Sequence, residues 1–221
     1  MDPKLEAARR ALEEVQDGML LGLGSGTTAA GFIDLLGARV REGLRVTAVA
    51  TSNATEVQAR SYGIPVLQSV DRDLDLTVDG ADEIDPRLNL VKGLGGALLR
   101  EKVVAAASRR MMVIATEDKL VPELGRGPLP LEILPLLWEH TTGAVARLEL
   151  KPSLRRTDSD PFVSDNGNYI LDCRFVPPRD LDALASALEH IPGVMGHGLF
   201  LGLATEAAIA GDAGVRVIRP A

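Results

Sequence analysis

The spacing of hydrophobic and polar positions changes along the chain. Residues 4–15 place Leu5, Ala8, Leu12 and Val15 at helical spacing, so that these side chains share one face. Beyond this helix, short apolar runs alternate with longer stretches of helical periodicity. Such alternation predicts an α/β fold with a mainly parallel sheet and helices on both faces. The predicted strands are 19–23, 44–50, 64–68, 74–80, 88–91 and 111–116, and the predicted helices between them are 29–40, 53–63 and 97–110.

A different pattern begins near residue 127. Residues 125–135 contain three prolines and two glycines, which is typical of a crossing between two units. Further on, Asn166-Gly167 lies between two apolar runs and predicts a hairpin turn. The other elements predicted in this part are strands at 129–133 and 152–156 and helices at 136–148 and 179–190.

These elements predict two domains. Residues 128–197 are expected to form a small α+β domain with an antiparallel sheet. Residues 198–211 resume a strand–helix pattern, so we expect the end of the chain to rejoin the first domain. The larger domain would then comprise residues 1–127 and 198–221, with the small domain inserted into it.

Composition and charge narrow the function classes. The 221 residues are 46% hydrophobic and only 3% aromatic, which predicts a globular protein with an aliphatic core. A formal net charge of -7 disfavours nucleic acid or an anionic membrane as the main partner. Cys173 is the only cysteine, so an intrachain disulfide is excluded, and we expect it to pack in a strand. Without a signal core or a long apolar run, the expected location is cytoplasmic.

The first candidate for chemistry is the loop Gly24-Ser25-Gly26-Thr27-Thr28, which follows the strand at 19–23. Glycines let a backbone approach an anion, and the following helix offers free N–H groups, so the loop suits a phosphate. A dinucleotide fingerprint is disfavoured, because Thr27 stands at its third glycine position and no acid follows the second strand. A helix N-cap without a ligand is an equally good interpretation of the loop alone.

The second candidate is the turn Asp79-Gly80-Ala81-Asp82 after the strand at 74–80. Ligands of open parallel sheets bind at the carboxyl ends of strands, and two neighbouring acids there can share proton-transfer duties. A metal site is a competing interpretation, but the spacing is not that of a calcium loop and no histidine lies nearby. Acids in a turn can also be simply solvated. His140, His190 and His197 share no ligand spacing, and no metal site is predicted.

The third candidate combines Lys92, the glycine turn that follows it and Glu101. A lysine beside free backbone N–H groups can stabilise an oxyanion. Glu101 lies about one turn into the next helix, and a desolvated carboxylate there would suit a general base. Without that context, Glu101-Lys102 would be interpreted as an exposed helical pair. Lys119, after the strand at 111–116, is a fourth candidate.

Six segments, in chain order, resemble the A-type ribose-5-phosphate isomerase family over nearly the whole chain. They are GLGSGTTA, VDGADEID, KGLGGALLREK, PLPLEILP, DNGNYILD and PGVMGHGLF. The resemblance implies a Rossmann-like mainly parallel sheet with an inserted ferredoxin-like domain, a homodimer or homotetramer, and no cofactor. It also implies an aldose–ketose isomerase of the non-oxidative pentose phosphate pathway that interconverts ribose 5-phosphate and ribulose 5-phosphate.

The same resemblance implies roles for individual residues. Glu101 matches the proton acceptor, Lys119 matches a further substrate contact, and Lys4 falls where the family has a phosphate-contacting lysine. The implied catalytic residues are Asp79, Asp82, Lys92 and Glu101. The implied substrate-binding residues are Lys4, Ser25, Gly26, Thr27, Thr28, Asp79, Gly80, Ala81, Asp82, Lys92, Gly93, Leu94, Gly95 and Lys119. The family commonly has Thr-Gly-Ser-Thr where this chain has Ser25 to Thr28, so the hydroxyl types are permuted.

The expected mechanism follows from these roles. Asp79 or Asp82 assists ring opening, Glu101 moves the proton between two carbons, and Lys92 stabilises the enediolate. Two rival functions are a sugar-phosphate sensor and a related deaminase or acyl-CoA transferase. A sensor that binds DNA would need a helix-turn-helix, and only about 20 residues precede the first glycine loop. The other two enzymes would not be expected to carry KGLGGALLREK after DGADEID.

Overall fold

A six-stranded sheet forms the centre of the structure, a computed structural model that describes residues 2–175 and 180–220. The strand order is β15-β14-β6-β3-β1-β2, with β15 antiparallel and all other pairs parallel. Strands β1 and β3 are buried along their whole length, which explains why they are continuous apolar runs in the sequence. The strands are β1 (Leu20–Leu23), β2 (Thr47–Ala50), β3 (Leu76–Asp79), β6 (Met111–Thr116), β14 (Glu206–Gly211) and β15 (Gly214–Ile218).

Helices cover both faces of this sheet. Alternate residues of β6 enter different clusters: Met112 and Ile114 pack with α1 and α2, whereas Met111 and Val113 pack with Phe200 on the other face. A 3-10 turn at Glu117–Lys119 follows β6. The helices of this part are α1 (Pro3–Leu12), α2 (Thr27–Arg41), α3 (Asn53–Ser61) and α4 (Leu98–Ala106).

The small unit has a second, antiparallel sheet in the order β12-β7-β11-β8. Its chain order is β-α-β-β-α-β, which makes it ferredoxin-like. The predicted fold class is therefore confirmed, while the predicted domain boundaries stay a prediction. The elements are β7 (Leu129–Ile133), α5 (Trp138–Ala146), β8 (Lys151–Leu154), β11 (Tyr169–Arg174), α6 (Leu181–Glu189) and β12 (Val194–His197).

Short strands join the two parts and extend the small one. The three-stranded sheet β13-β5-β4 brings Val91 and Leu199 into the core of the small unit. Cys173 is buried in that core, as expected from the sequence. The short strands are β4 (Glu83–Ile84), β5 (Leu90–Val91), β9 (Arg156–Thr157), β10 (Asp160–Pro161) and β13 (Leu199–Phe200). No helix within residues 2–175 and 180–220 is both long and apolar enough to cross a membrane.

Two predicted elements are wrong. The strand predicted at 64–68 is a single parallel bridge between Ala48 and Val66, next to Pro65, which has no N–H to donate. The strand–helix pattern at 198–211 contains no helix, because residues 206–211 form β14 between β6 and β15. The hairpin turn is present, with the Ser164 N–H donating to the Asn168 carbonyl at 2.8 Å.

The remaining predicted elements differ from the structure mainly in their ends, as is usual for element boundaries. The helix predicted at 97–110 ends at Ala106. The strand predicted at 152–156 is interrupted at Arg155 between β8 and β9. The helix predicted at 179–190 begins at Leu181, and residue 179 lies outside the described residues.

Candidate active site

A cleft of about 310 Å³ opens at the carboxyl ends of β1, β3 and β6. The chain runs from β1 outward to β2 and then returns to β3 on the other side of β1. This reversal is a topological switch point, where open α/β sheets bind their ligands. The volume lies at the lower end of the range of about 300–1,000 Å³ that ligand pockets occupy, so the cleft suits a small molecule.

A buried cluster of two carboxylates and one ammonium group lies at the cleft, where Lys92 and Glu101 are lining residues and Asp79 lies beneath them. The Lys92 Nζ atom donates to the Gly80 carbonyl at 2.6 Å. It also lies 3.1 Å from Asp79 Oδ2 and 3.3 Å from Glu101 Oε2. Neither carboxylate oxygen receives a well-directed hydrogen bond from the described residues, so charge rather than a directed bond holds them to Lys92. The ammonium group lies within ion-pair distance of both carboxylates.

Burial shifts the protonation of this cluster. It raises the pKa of Glu101 to about 8, although the ammonium group of Lys92 acts in the opposite direction. Burial also raises the pKa of Asp79. For Lys92, burial alone would lower the pKa, but the charges of Asp79 and Glu101 outweigh it and raise the pKa. Lys92 therefore stays charged, while Glu101 can exchange a proton near neutral pH.

Glycine at position 24 allows β1 and β3 to approach closely enough to build this cluster. A Cβ atom there would lie 2.1 Å from Asp79 Oδ1 and 2.6 Å from the Asp79 Cα atom. In the space that glycine leaves, Asp79 Oδ1 accepts the N–H groups of Ser25 at 3.1 Å and Gly80 at 2.7 Å. Asp79 therefore connects the first glycine loop to the acidic turn from beneath the floor of the cleft.

Asp82 and Glu83 have different tasks although they are neighbours. Asp82 lines the cleft and accepts the Leu94 N–H at 3.0 Å, which joins the acidic turn to the second glycine turn. Glu83 points away and is buried. Its carboxylate accepts the backbone N–H groups of residues 125, 126 and 127, the crossing between the two units. This anchoring role was not predicted from the sequence.

The start of α2 also lines the cleft. Gly26, with φ +90°, precedes the helix, and no side chain among the described residues caps the first N–H groups. The first turn also carries no acid, so its donors and the positive end of the helix dipole favour an anion. Lys4 Nζ donates to Thr27 Oγ1 at 2.9 Å, and Lys119 lines the same cleft.

Nearly all residues predicted for the site meet at this cleft. Asp79 lies beneath it, and the Leu94 side chain is 50% exposed, so that Leu94 contributes its backbone. The structure adds residues at the end of β6, which the strand-end rule could have identified from the sequence. The predicted residues that line the cleft are Lys4, Ser25, Gly26, Thr27, Thr28, Gly80, Ala81, Asp82, Lys92, Gly93, Gly95, Glu101 and Lys119. The added residues are Ile114, Ala115, Thr116 and Asp118.

The fold and the site define a class of protein. It is a Rossmann-like α/β protein whose switch point holds a buried glutamate of raised pKa, a buried ammonium group and the start of a helix with free N–H groups. Such a cleft suits proton transfer on a small anionic molecule.

Similarity to known proteins identifies a family within this class. Residues 47–214 match the model of the family described as ribose 5-phosphate isomerase A (phosphoriboisomerase A). Ribose-5-phosphate isomerase A of Nitrobacter hamburgensis is 53% identical over 97% of this chain and 96% of its own. The solved ribose 5-phosphate isomerase A of Methanocaldococcus jannaschii has a TM-score of 0.94 at 35% identity, over 99% of this chain and 98% of its own.

A second solved structure is similar to this chain to the same degree, as measured by TM-score. It is a D-ribose-5-phosphate isomerase in complex with phospho-erythronic acid, with a TM-score of 0.94 and 36% identity over 99% of this chain and 98% of its own. The chain belongs to the ribose-5-phosphate isomerase A family and is an isomerase.

Proposed function

We propose that this chain interconverts D-ribose 5-phosphate and D-ribulose 5-phosphate through an enediolate, with Glu101 as the general base. The observation that carries the proposal is the buried group of Glu101, Lys92 and Asp79 within 3.3 Å contacts at the cleft wall. The names of the similar proteins support the choice of substrate.

The phosphate is assigned to the end of the cleft formed by the first turn of α2. The N–H groups there, the hydroxyls of Thr27 and Thr28, and the ammonium groups of Lys4 and Lys119 can hold a dianion. The cleft also holds the carboxylates of Asp82 and Glu101, so its mixed charges suit a molecule with one anionic group and several hydroxyl groups.

Proton transfer is assigned to Glu101. Its carboxylate takes the proton from carbon 2 of the open-chain aldose, and the electron pair passes to the carbonyl oxygen, which gives the enediolate. Glu101 then delivers the proton to carbon 1, while the hydroxyl proton of oxygen 2 moves to oxygen 1. Lys92 and backbone N–H groups of the glycine turn stabilise the negative oxygen between these steps.

Asp82 is the better candidate for ring opening and for the proton movements on oxygen. It lines the cleft, whereas Asp79 is fully buried and uses one oxygen for two N–H groups and the other for Lys92. Asp79 then orients Lys92 and holds the first glycine loop.

The pathway, the cytoplasmic location and the homodimeric or homotetrameric state stay predictions.

The test is to let the protein isomerise ribose 5-phosphate in D₂O and to measure the deuterium in the ketose product. An enediolate route predicts ketose product that carries solvent deuterium at carbon 1, because the proton on Glu101 can exchange before it returns. Product free of deuterium would contradict this exchange and remove the support for an enediolate, and absence of any isomerisation would reject the proposed substrate.

A further inference from the structure

The small unit makes a polar contact with the back of the second glycine turn. Arg155 lies between β8 and β9, and its side chain is 14% exposed. Its Nη1 group donates to the carbonyls of Gly93 at 3.1 Å and Leu94 at 2.9 Å. On its other edge the guanidinium donates to Asp172 of β11, with Nε 2.9 Å from Oδ2 and Nη2 2.5 Å from Oδ1. Asp172 of the small unit therefore fixes the Arg155 side chain, and Arg155 in turn holds the second glycine turn by two hydrogen bonds.

Phe162 makes a second contact with Arg155, at the end of the second glycine turn. The ring of Phe162 faces the guanidinium, with Cζ of Arg155 5.6 Å from the ring centroid. A Cβ atom on Gly96 would lie 2.6 Å from the same ring, so the ring and the turn are in close contact. The Phe162 N–H also donates to the Arg155 carbonyl at 2.9 Å. The hairpin of the small unit thus braces both the arginine and the turn.

Because Arg155 holds the carbonyls of Gly93 and Leu94, it also determines the direction of the N–H groups in the same two peptides. In a planar trans peptide, the N–H points opposite to the carbonyl of the preceding residue. The Gly93 carbonyl points to Arg155, and the Leu94 N–H of the same peptide does meet Asp82 on the opposite side at 3.0 Å. By the same geometry, the Leu94 carbonyl on Arg155 turns the Gly95 N–H away from the small unit. Gly95 lines the cleft.

We propose that Arg155 is a positioning residue that fixes the Leu94–Gly95 peptide so that its N–H stabilises the oxyanion during catalysis. The inference rests on the proposed function. The donor would be aligned before the charge develops, and such preorganisation lowers the barrier without strengthening substrate binding. The small unit then contributes directly to catalysis, in addition to any role in assembly.

The experiment compares Arg155→Met with Arg156→Met. Both variants remove one guanidinium from neighbouring positions, but the Arg156 guanidinium donates to the Ser159 carbonyl of its own hairpin. We expect Arg155→Met to lower kcat about 10- to 100-fold, since misplacement by about 1 Å can cost that much. KM should change by less than about threefold, because the donor acts mainly in the transition state. Arg156→Met should retain both constants.

Hydrogen exchange of the peptide covering residues 92–97 supplies a readout that does not need turnover. It should be faster in Arg155→Met and unchanged in Arg156→Met. If Arg155→Met does not fold, Arg155→Lys, which keeps the charge and loses the second edge of the fork, is used and should show a smaller loss of kcat. If the wild type does not isomerise ribose 5-phosphate, the proposed function fails and exchange alone decides the positioning role.

Two results would overturn the inference. One is kcat of the folded Arg155 variant within about twofold of the wild type. The other is exchange of the turn that is the same in both methionine variants.

Discussion

At the scale of residues, the raised pKa of Glu101 predicts the pH dependence of activity. A base must be unprotonated, so kcat/KM should rise with pH along a limb whose apparent pKa is near 8 and level off above it. Since Asp79 and Glu101 interact, the limb reports the pair rather than one residue. Asp79→Asn removes a charge that raises the pKa of Glu101 and should shift the limb to lower pH. A flat profile from about pH 6 to 8.5 would contradict the assignment.

Most residues of the cleft could be predicted from the sequence, but the residues that support them could not. Strand-end placement pointed to Asp79 and Asp82, and helical tilt pointed to Glu101, which faces the cleft and is only 6% exposed. Arg155 could not be found in this way, because its contact with Leu94 spans 61 residues between two units. The carboxylate of Glu83 has its partners about 40 residues away for the same reason. Local patterns predict which residues lie at a strand end but not which distant residue holds them there.

At the scale of elements, pairing with neighbouring strands outweighed local helix propensity in the segment 198–211, where a helix was predicted and none forms. Residues 206–211 are rich in alanine, a helix former, but they form β14 in register with β6 and β15. Small side chains suit a strand that is covered on both faces, as all of Glu206 to Ala210 are buried. The long helices and the first glycine turn were predictable because their periodicity and their glycine positions are local patterns. Which short run joins which sheet depends on contacts far along the chain.

A single methyl group added between β1 and β3 tests how closely these elements must approach. Gly24→Ala should lower the free energy of unfolding by about 1–3 kcal/mol, because its Cβ atom would displace the buried Asp79. Gly143→Ala in α5 is the control, since apart from its chain neighbours and the backbone of α5 no atom of the described residues lies within 4 Å of the added Cβ atom, and alanine favours helices. The comparison is made by denaturant unfolding. Equal stability of Gly24→Ala and wild type would contradict the close-approach argument.

At the scale of the whole molecule, the small unit contacts the elements that carry Lys92 and Glu101 at two places. Besides the Arg155 contact, its turn at residues 164–168 accepts hydrogen bonds from Arg100, the residue before Glu101. That turn is held from within by the buried Glu132, whose Oε1 atom accepts hydrogen bonds from Ser164, Asn166 and Asn168. The small unit therefore supports both the second glycine turn and the helix that carries Glu101.

The charge arrangement of the whole cleft predicts activity without a metal. The ammonium group of Lys92 supplies the positive charge between Asp79 and Glu101, so excess EDTA should leave kcat and KM unchanged. Dialysed enzyme with and without added Mg²⁺ is the control. Activity lost in EDTA and restored by a divalent ion would contradict this prediction.

The most direct test of the account is the turnover of Glu101→Gln with ribose 5-phosphate. Glutamine has nearly the same shape but cannot accept the proton. The variant is therefore predicted to fold, to bind ribose 5-phosphate with affinity close to that of the wild type, and to lose at least about 10²- to 10⁴-fold in kcat. A folded Glu101→Gln enzyme that retains near-normal kcat would contradict the central claim.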